Sequence, residues 1–344
     1  MKVLILYTRL TGYWMSCMRY SRDHFSNEFL VIRSKPSKDA PFKIDTENGI
    51  EIINREHYNS KEIVKKTDYF SPSLIYVSGW TNKTYLEIAK KHNNKKTPVV
   101  VGMDNHWKGT LRQYLAGIMS PWFIKPYFSD IWIPGRSQHK FAQKLGFKAE
   151  KIHKGLYCAD TQLFQGKIKP NKNPEILFVG RLVGHKGVPE LIQLINHLIE
   201  TNALYLKFHF VGNGPLAKDI PNHSYIKHTP FLLPKDLPEV LNNTGFLILP
   251  SIYEAWGVVV HEALLSGTPV ISTYQCGAAI DMLIHTKNGF LFDSNEFQQL
   301  EIIFEQIEQL TDQDYKKMSE YALNSADQIN RQKWSQTLEK IGKH

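Results

Sequence analysis

One stretch constrains the fold more than any other, the run from Phe246 to Val270. Phe246-Leu247-Ile248-Leu249 is continuously apolar and ends at Pro250 and Ser251, the pattern of a strand buried on both faces of a parallel sheet. A short polar loop follows and carries Glu254. Val258, Val259, Ala263 and Leu264 then recur at helical spacing until Gly267 supplies a C-terminal cap, and Thr268-Pro269-Val270-Ile271 opens another strand. Strand, loop, helix and strand make a βαβ unit. Its loop lies at the C-terminal end of the strand, where open α/β sheets bind ligands.

Two carboxylates mark this unit, Glu254 in the loop and Glu262 in the helix. A carboxylate only accepts hydrogen bonds and can take two hydroxyls at once, which suits a vicinal sugar diol. The helix between them offers free N–H groups and a positive dipole end to a phosphate. Spacing alone, however, favours two solvated glutamates flanking an ordinary amphipathic helix.

The remaining strands point to more of the same architecture. Val3–Tyr7, Phe29–Ile32, Leu74–Val77, Pro98–Val101 and Ile131–Ile133 are short apolar runs, and helical patterns such as Thr84–Lys91 and Gln138–Leu145 alternate with them. Alternation of this kind predicts a doubly wound parallel sheet. Lys167 to Pro174 is polar and bracketed by prolines, the composition of an interdomain linker. Ile176–Val179 opens a second series of strands, with Leu204–Val211 among them, and Phe297, Leu300, Phe304, Ile307 and Leu310 trace an amphipathic helix. A chain of 344 residues suits two domains of ordinary size.

Composition bounds the function. With 42% hydrophobic and 22% charged residues the chain reads as soluble and globular, and the five apolar residues after Lys2 are too few for a signal-peptide core or a membrane span. Cys17, Cys158 and Cys276 are far apart in sequence, form no metal or redox motif, and fit a reducing cytoplasm. Charge is uneven: residues 1–170 carry 28 Lys+Arg against 14 Asp+Glu, residues 171–344 carry 14 against 19. The first half therefore suits an anionic partner. Its aromatic and basic residues, Trp107-Lys108, Arg112, Tyr114 and Trp122-Phe123-Ile124-Lys125-Pro126-Tyr127, suit an anionic membrane surface. A core position for Trp122, Phe123 and Tyr127 accounts for the same pattern. The basic residues are dispersed and match no nucleic-acid motif, so nucleic acid is not expected as a partner.

The segment PSIYEAWGVVVHEALLSGTPVI resembles the signature of the retaining glycosyltransferases of family 4, also described as glycosyl transferases group 1, at Pro250, Ser251, Glu254, Trp256, Gly257, Glu262, Ala263, Gly267, Pro269 and Val270. FVGRLVGHKG resembles the same family's Gly-Arg-Leu-x-x-x-Lys-Gly motif. Gly212-Asn213-Gly214-Pro215, Cys276-Gly277-Ala278-Ala279 and Asn288-Gly289-Phe290-Leu291 resemble further parts of it. The resemblance is detailed from Ile176 to about Phe292 and architectural elsewhere.

That resemblance implies an α/β protein of the GT-B class, two Rossmann-like domains facing an interdomain cleft. The domains would be 1–168 on the acceptor side and 175–325 for the nucleotide sugar, with 326–344 a helix packing back on the first. It implies a hexosyltransferase-type enzyme that moves a sugar from a nucleotide-diphosphate donor to an acceptor hydroxyl with retention, in cell-surface polysaccharide or glycolipid synthesis, with neither metal nor other cofactor. Arg181 and Lys186 would hold the diphosphate, Glu254 the donor sugar and Glu262 the ribose. Gly180, Gly257, Val258 and Phe231 would complete the donor side. Gly12, Asp104 and His106 are candidates on the acceptor side, with loop capping by Asp104 and a surface His106 as the plain alternative. The acceptor would be a glycan or lipid-linked, and the location cytoplasmic and peripheral at the inner face of the membrane. A catalytically silent nucleotide-sugar-binding subunit and a GT-B-fold epimerase are the alternatives.

Overall fold

The computed structural model describes residues 1–8, 10–35 and 44–343. Two compact units emerge, Met1–Asp160 with Arg331–His344, and Thr161–Asn330.

In the first unit β1 (Lys2–Tyr7), α1 (Gly12–Phe25), β2 (Glu28–Arg33), β3 (Ile50–Asn54), α2 (Ser60–Phe70), β4 (Leu74–Val77), α3 (Lys83–Asn94), β5 (Val99–Gly102), α4 (Leu111–Phe123), β6 (Asp130–Trp132), α5 (Arg136–Lys144) and β7 (Ile152–His153) follow one another. The strands pair in parallel in the order β3-β2-β1-β4-β5-β6-β7. Val3 to Leu6 and Leu74 to Val77 are buried, as continuous apolar runs in a sheet covered on both faces must be. The direction of winding reverses between β1 and β4.

The second unit runs β8 (Glu175–Val179), α6 (Val188–Glu200), β9 (Lys207–Val211), β10 (Ile226–Thr229), α7 (Leu237–Asn242), β11 (Phe246–Leu249), α8 (Val258–Leu265), β12 (Val270–Thr273), α9 (Gly277–Met282), β13 (Gly289–Phe292), α10 (Gln299–Gln309) and α11 (Asp312–Ala326). Its six parallel strands lie in the order β10-β9-β8-β11-β12-β13. Both units are therefore Rossmann-like α/β sheets.

The last helix, α12 (Arg331–Gly342), belongs to the first unit. Its Trp334 is 2% exposed and packs on Trp14 of α1 and Trp132 of β6, with ring centres 5.3 and 5.1 Å apart. The Trp334 indole N–H donates to the Leu156 carbonyl at 3.2 Å, which satisfies the one polar atom of a large apolar side chain.

The proline-bracketed stretch 167–174 differs from a free linker. The Lys169 N–H donates to Ser319 Oγ and the Lys172 N–H to Asp312 Oδ1, at 2.9 and 2.8 Å. Lys169 Nζ donates to the Leu241 and Thr244 carbonyls, both at 2.6 Å, and to Thr268 Oγ1 at 2.7 Å. Lys172 Nζ reaches the Glu308 carbonyl at 2.6 Å. These lysines cap the C-terminal ends of α7 and α10, where carbonyls lack helical partners and the helix dipole favours a cation. The chain thus joins the second unit at Thr161 rather than near 175. The structure also brings Cys17 and Cys158 near each other: both are buried free thiols, and burial first, with Cys158 adding to it, raises the Cys17 thiol well above its usual value.

Burial pushes Lys169 down to about 7, while its three acceptors favour the ammonium. Lys169→Met keeps the buried stem and removes all three hydrogen bonds. It should lower unfolding free energy by about 1–3 kcal/mol, read from the urea midpoint at constant slope. An unchanged midpoint would show that this segment does not hold α7.

Candidate active site

The winding of the second sheet reverses between β8 and β11, so the loops after these two strands open side by side at the C-terminal edge of the sheet. A crevice at that position is the usual ligand site of an open α/β sheet. The loop after β8 runs from Gly180 through Arg181 and a 3-10 turn, Gly184–Lys186, to Gly187. The loop after β11 runs from Pro250 to Gly257. Backbone contacts hold them together: the Ile252 N–H donates to the His185 carbonyl at 3.0 Å, and Gly187 lies so close to Pro250 that a Cβ would stand 2.0 Å from its carbonyl oxygen. Gly187 also has φ +71°, a left-handed conformation that a side chain would strain. A third loop joins from β9, where the Leu182 N–H donates to the Asn213 carbonyl at 2.9 Å.

Side chains meet across the two loops. Lys186 Nζ forms a hydrogen-bonded ion pair with Glu254 Oε2, each side chain 16% exposed. The Glu254 backbone is fixed as well, its N–H donating to Gln275 O and its carbonyl accepting from the Gly277 N–H, both at 3.1 Å. Arg181 is exposed on the same loop as Lys186 and has no ion pair among the described residues. Gly180 donates to the Val211 carbonyl at 2.9 Å. Phe231 is exposed on the loop after β10.

Gly257, at φ +88°, caps the start of α8, and a Cβ there would lie 3.1 Å from Glu254 Cγ. Val258 is thus the first residue of α8, and Glu262 stands half-buried in its second turn. Two buried polar groups of the loop after β11, Ser251 Oγ and Trp256 Nε1, have no hydrogen-bond partner among the described residues. A buried donor or acceptor left unpaired costs about 1–3 kcal/mol, so these two atoms are open to water or a bound molecule.

Sequence reasoning did not single out His261. It is fully buried, and its Nε2 lies 3.0 Å from the Ala326 carbonyl at the end of α11. The contact ties α8, and with it Glu262, to α11. A histidine on a helix gives no sign in sequence of the carbonyl it will meet.

The three acceptor-side candidates lie on the first unit. Gly12 opens α1, just after the β1 loop, and the Thr8 N–H there donates to Ser78 Oγ after β4 at 3.0 Å. Asp104 follows β5. Its Oδ2 accepts from the Tyr157 hydroxyl at 3.1 Å, and its carbonyl accepts from Gln138 Nε2 at 3.1 Å. The hydroxyls of Tyr7, Tyr76 and Tyr157 are all raised well above the usual phenol value, first by burial and then in part by the Asp104 charge. The Asp104 carboxylate thus has a phenol as its hydrogen-bond partner. His106 is half-buried, and its carbonyl accepts from Gln113 Nε2 at 2.7 Å. Among the described residues no three His, Cys, Asp or Glu side chains are grouped to hold a metal, and no helix is long and apolar enough to cross a membrane.

Residues 160–325 match the family model described as glycosyl transferases group 1. An uncharacterized glycosyltransferase of Methanocaldococcus jannaschii is 34% identical over 125 residues, 35% of this chain and 34% of that protein. The capsular polysaccharide biosynthesis glycosyltransferase CapM of Staphylococcus aureus is 30% identical over 183 residues, 48% of this chain and 45% of that one. The matches thus span less than half the length of these relatives. Among solved structures, HepE of Anabaena in complex with UDP superposes with a TM-score of 0.76 at 18% identity, covering 98% of both chains. An E. coli trehalose-6-phosphate structure bound with UDP-2-fluoro glucose gives 0.75 at 9% identity, covering 100% of this chain and 99% of that one. The α/β fold is that of the GT-B glycosyltransferase structures.

Two stability measurements test this geometry. Lys186→Met leaves the Glu254 carboxylate without its counter-ion and should cost about 1–3 kcal/mol, whereas Arg181→Ala should leave the melting temperature unchanged. The double variant Lys186→Met/Glu254→Gln should recover most of the loss; full additivity would show that the two side chains do not interact. Burial holds His261 at about 4, against 6.5 for the ordinary group, and the nearby Asp327 opposes the shift only in part. Between those values the unfolded chain binds a proton that the native protein does not. Stability should therefore fall as pH drops from about 6.5 to about 4, by up to about 3 kcal/mol from this group. His261→Gln should flatten that part of the profile in denaturant melts, and an identical slope would assign it to other groups.

Proposed function

We propose that the protein transfers a hexosyl group from a nucleotide-diphosphate donor to an acceptor hydroxyl, with retention of anomeric configuration and without a metal ion. The observation that carries this reading is the junction of Lys186 with Glu254 at the β8–β11 reversal, inside the segment that matches the family model. Two HepE structures with the same fold contain UDP, or UDP with glucose, which supports a nucleotide sugar as the donor.

The chemistry follows from the side chains. Cleavage of the donor's glycosidic bond leaves negative charge on the departing diphosphate. Arg181, exposed and unpaired, can grip two phosphate oxygens, and Lys186 adds a compact charge beside it. An ammonium has three hydrogens, so Lys186 can keep Glu254 and still donate to a phosphate oxygen. Preorganised cations of this kind lower a barrier by a few kcal/mol each. They also supply the counter-charge for which a metal would otherwise be needed. Glu254, its orientation fixed by Lys186 and by both of its backbone hydrogen bonds, orients the donor sugar. Glu262 takes the ribose diol, with Gly180, Gly257, Val258 and Phe231 around the nucleotide. Gly12, Asp104 and His106 serve the acceptor side, where the Asp104 carboxylate suits a sugar hydroxyl. The acceptor is a glycan or a lipid-linked one, in cell-surface polysaccharide or glycolipid synthesis, which the likeness to CapM supports. The protein works in a reducing cytoplasm, peripheral to the membrane.

Glu262→Gln should weaken donor binding by about 1.5–3 kcal/mol, roughly ten- to a hundredfold, with the fold intact. Calorimetry with a panel of nucleotide sugars reads this directly, and unchanged affinity would remove Glu262 from the site. Arg181→Ala should lower kcat more than it raises KM, since leaving-group charge develops in the transition state. Turnover should survive a chelator, and strict dependence on a divalent ion would overturn the mechanism. Donor binding without hydrolysis or transfer to any acceptor would instead mark a silent binding subunit.

A further inference from the structure

Helix α4 is built inside out. Seven of the seventeen large hydrophobic side chains exposed among the described residues lie on it: Leu111, Tyr114, Leu115, Ile118, Met119, Trp122 and Phe123. At 100° per residue they fill one half of the helix. The opposite half, Gln113, Ala116, Gly117 and Ser120, is small or polar and is the half that meets the protein. A Cβ on Gly117 would stand 2.8 Å from the Lys144 carbonyl, and Ser120 Oγ donates to the Leu145 carbonyl at 2.6 Å. A surface helix of a soluble domain normally turns its apolar stripe to the core. Here Leu111 is 75%, Ile118 67%, Trp122 67% and Phe123 59% exposed. These values exclude a core position for Trp122 and Phe123, whereas Tyr127 is half-buried against the core and Ile124 and Phe128 are buried. Apolar patches of this extent mark a surface that meets something apolar.

Charge identifies the partner. Arg136, Lys140 and Lys144 repeat every four residues along the neighbouring α5, and all three are exposed. Lys108, Arg112, Lys125 and Lys148 bring the cations between 105 and 149 to seven. The one acid in that interval, Asp130, is fully buried and lies 2.8 Å from His153. The exposed charges on α4 and α5 themselves, Arg112, Arg136, Lys140 and Lys144, are therefore all cationic. A second copy of this chain docked through the same face would set cations against cations, which is unfavourable. An anionic bilayer offers an apolar interior for the rings and an anionic headgroup layer for the lysines. Tryptophan, with its amphipathic ring, favours that boundary.

We propose that the outward half of α4, flanked by the cationic stripe of α5, docks the protein on an anionic lipid bilayer. About 20 Å of helix then lies in the interface plane, with Leu111, Leu115, Ile118 and Trp122 toward the acyl chains. This deepens the acceptor side of the proposed function, because a lipid-linked acceptor is held at that same boundary, yet docking itself requires neither donor nor turnover.

The test is co-sedimentation of the full chain with vesicles of phosphatidylcholine, with and without phosphatidylglycerol, at low and high salt. Binding should require phosphatidylglycerol and fade as salt screens the charges. Ile118→Asp and, separately, Lys140→Glu/Lys144→Glu should each weaken it at least tenfold. All three positions are exposed, so the melting temperature should be unaffected. Glu262→Gln should bind vesicles as the wild type does, which separates this proposal from the fate of the donor site. Pelleting with no vesicle in any condition overturns it. So does a dimer in analytical ultracentrifugation that Ile118→Asp converts to monomer while vesicles remain unbound; the face would then cover a second copy.

Discussion

The candidate site of the second unit depends on one close approach, that of Gly187 to the carbonyl of Pro250. Strands β8 and β11 are hydrogen-bonded neighbours, so the loops that leave them start about 4.8 Å apart. A bulky residue at either junction would force them to diverge. At Gly187 no Cβ fits, because it would meet a backbone oxygen that cannot move without moving β11. Glycine there lets the His185 carbonyl reach the Ile252 N–H, and that bond keeps both loops running together for the few residues that carry Lys186 and Glu254. The ion pair between those side chains follows from a backbone already in register.

This dependence explains why the second unit was legible in the sequence. Each of its pieces is local: an apolar strand, a loop with a fixed glycine, a helix start. Phe246–Leu249, Gly257 and Glu262 fall in one continuous stretch, and Gly180–Gly187 in another, so spacing placed the strands and helices, while the family resemblance singled out Glu254, Glu262, Arg181 and Lys186. Position in the sheet came from apolar runs, and these failed where a strand lies at an edge. Strand β10, Ile226–Thr229, has no fully buried residue and no apolar run to announce it. Strand β7 is two residues long.

Other features are invisible in sequence for reasons of a different kind. The linker-like composition of 167–174 is genuine, since its lysines are polar and its prolines do not continue a helix. Composition cannot say that Lys169 and Lys172 will find the carbonyl ends of α7 and α10. In α4 the apolar spacing is that of a helix, but spacing fixes only which residues share a face. Whether that face turns inward depends on what stands behind the helix. Gly117 and Ser120 decide it, because only small residues allow the close approach to Lys144 and Leu145.

The acceptor-side candidates show the same limit from the first unit. Asp104 was reached through its place after β5, yet its surroundings come from four separate segments. Tyr7 ends β1, Tyr13 lies in α1, Tyr76 in β4 and Tyr157 beyond β7. Gly102 makes room for Tyr76: a Cβ there would stand 2.1 Å from the Tyr76 hydroxyl. The Tyr157 hydroxyl donates to Asp104, and the buried Tyr7 and Tyr76 hydroxyls lie close enough to feel its charge. In the proposed function a carboxylate so placed suits a sugar hydroxyl, whereas the loop after β8 in the second unit, with Arg181 and Lys186, suits a phosphate. The proposed function thus assigns the cationic loop of the second unit to the donor diphosphate and the Asp104 carboxylate of the first to an acceptor hydroxyl. In the second unit those side chains stand at the reversal point of the sheet; in the first, Asp104 follows β5, one strand beyond it.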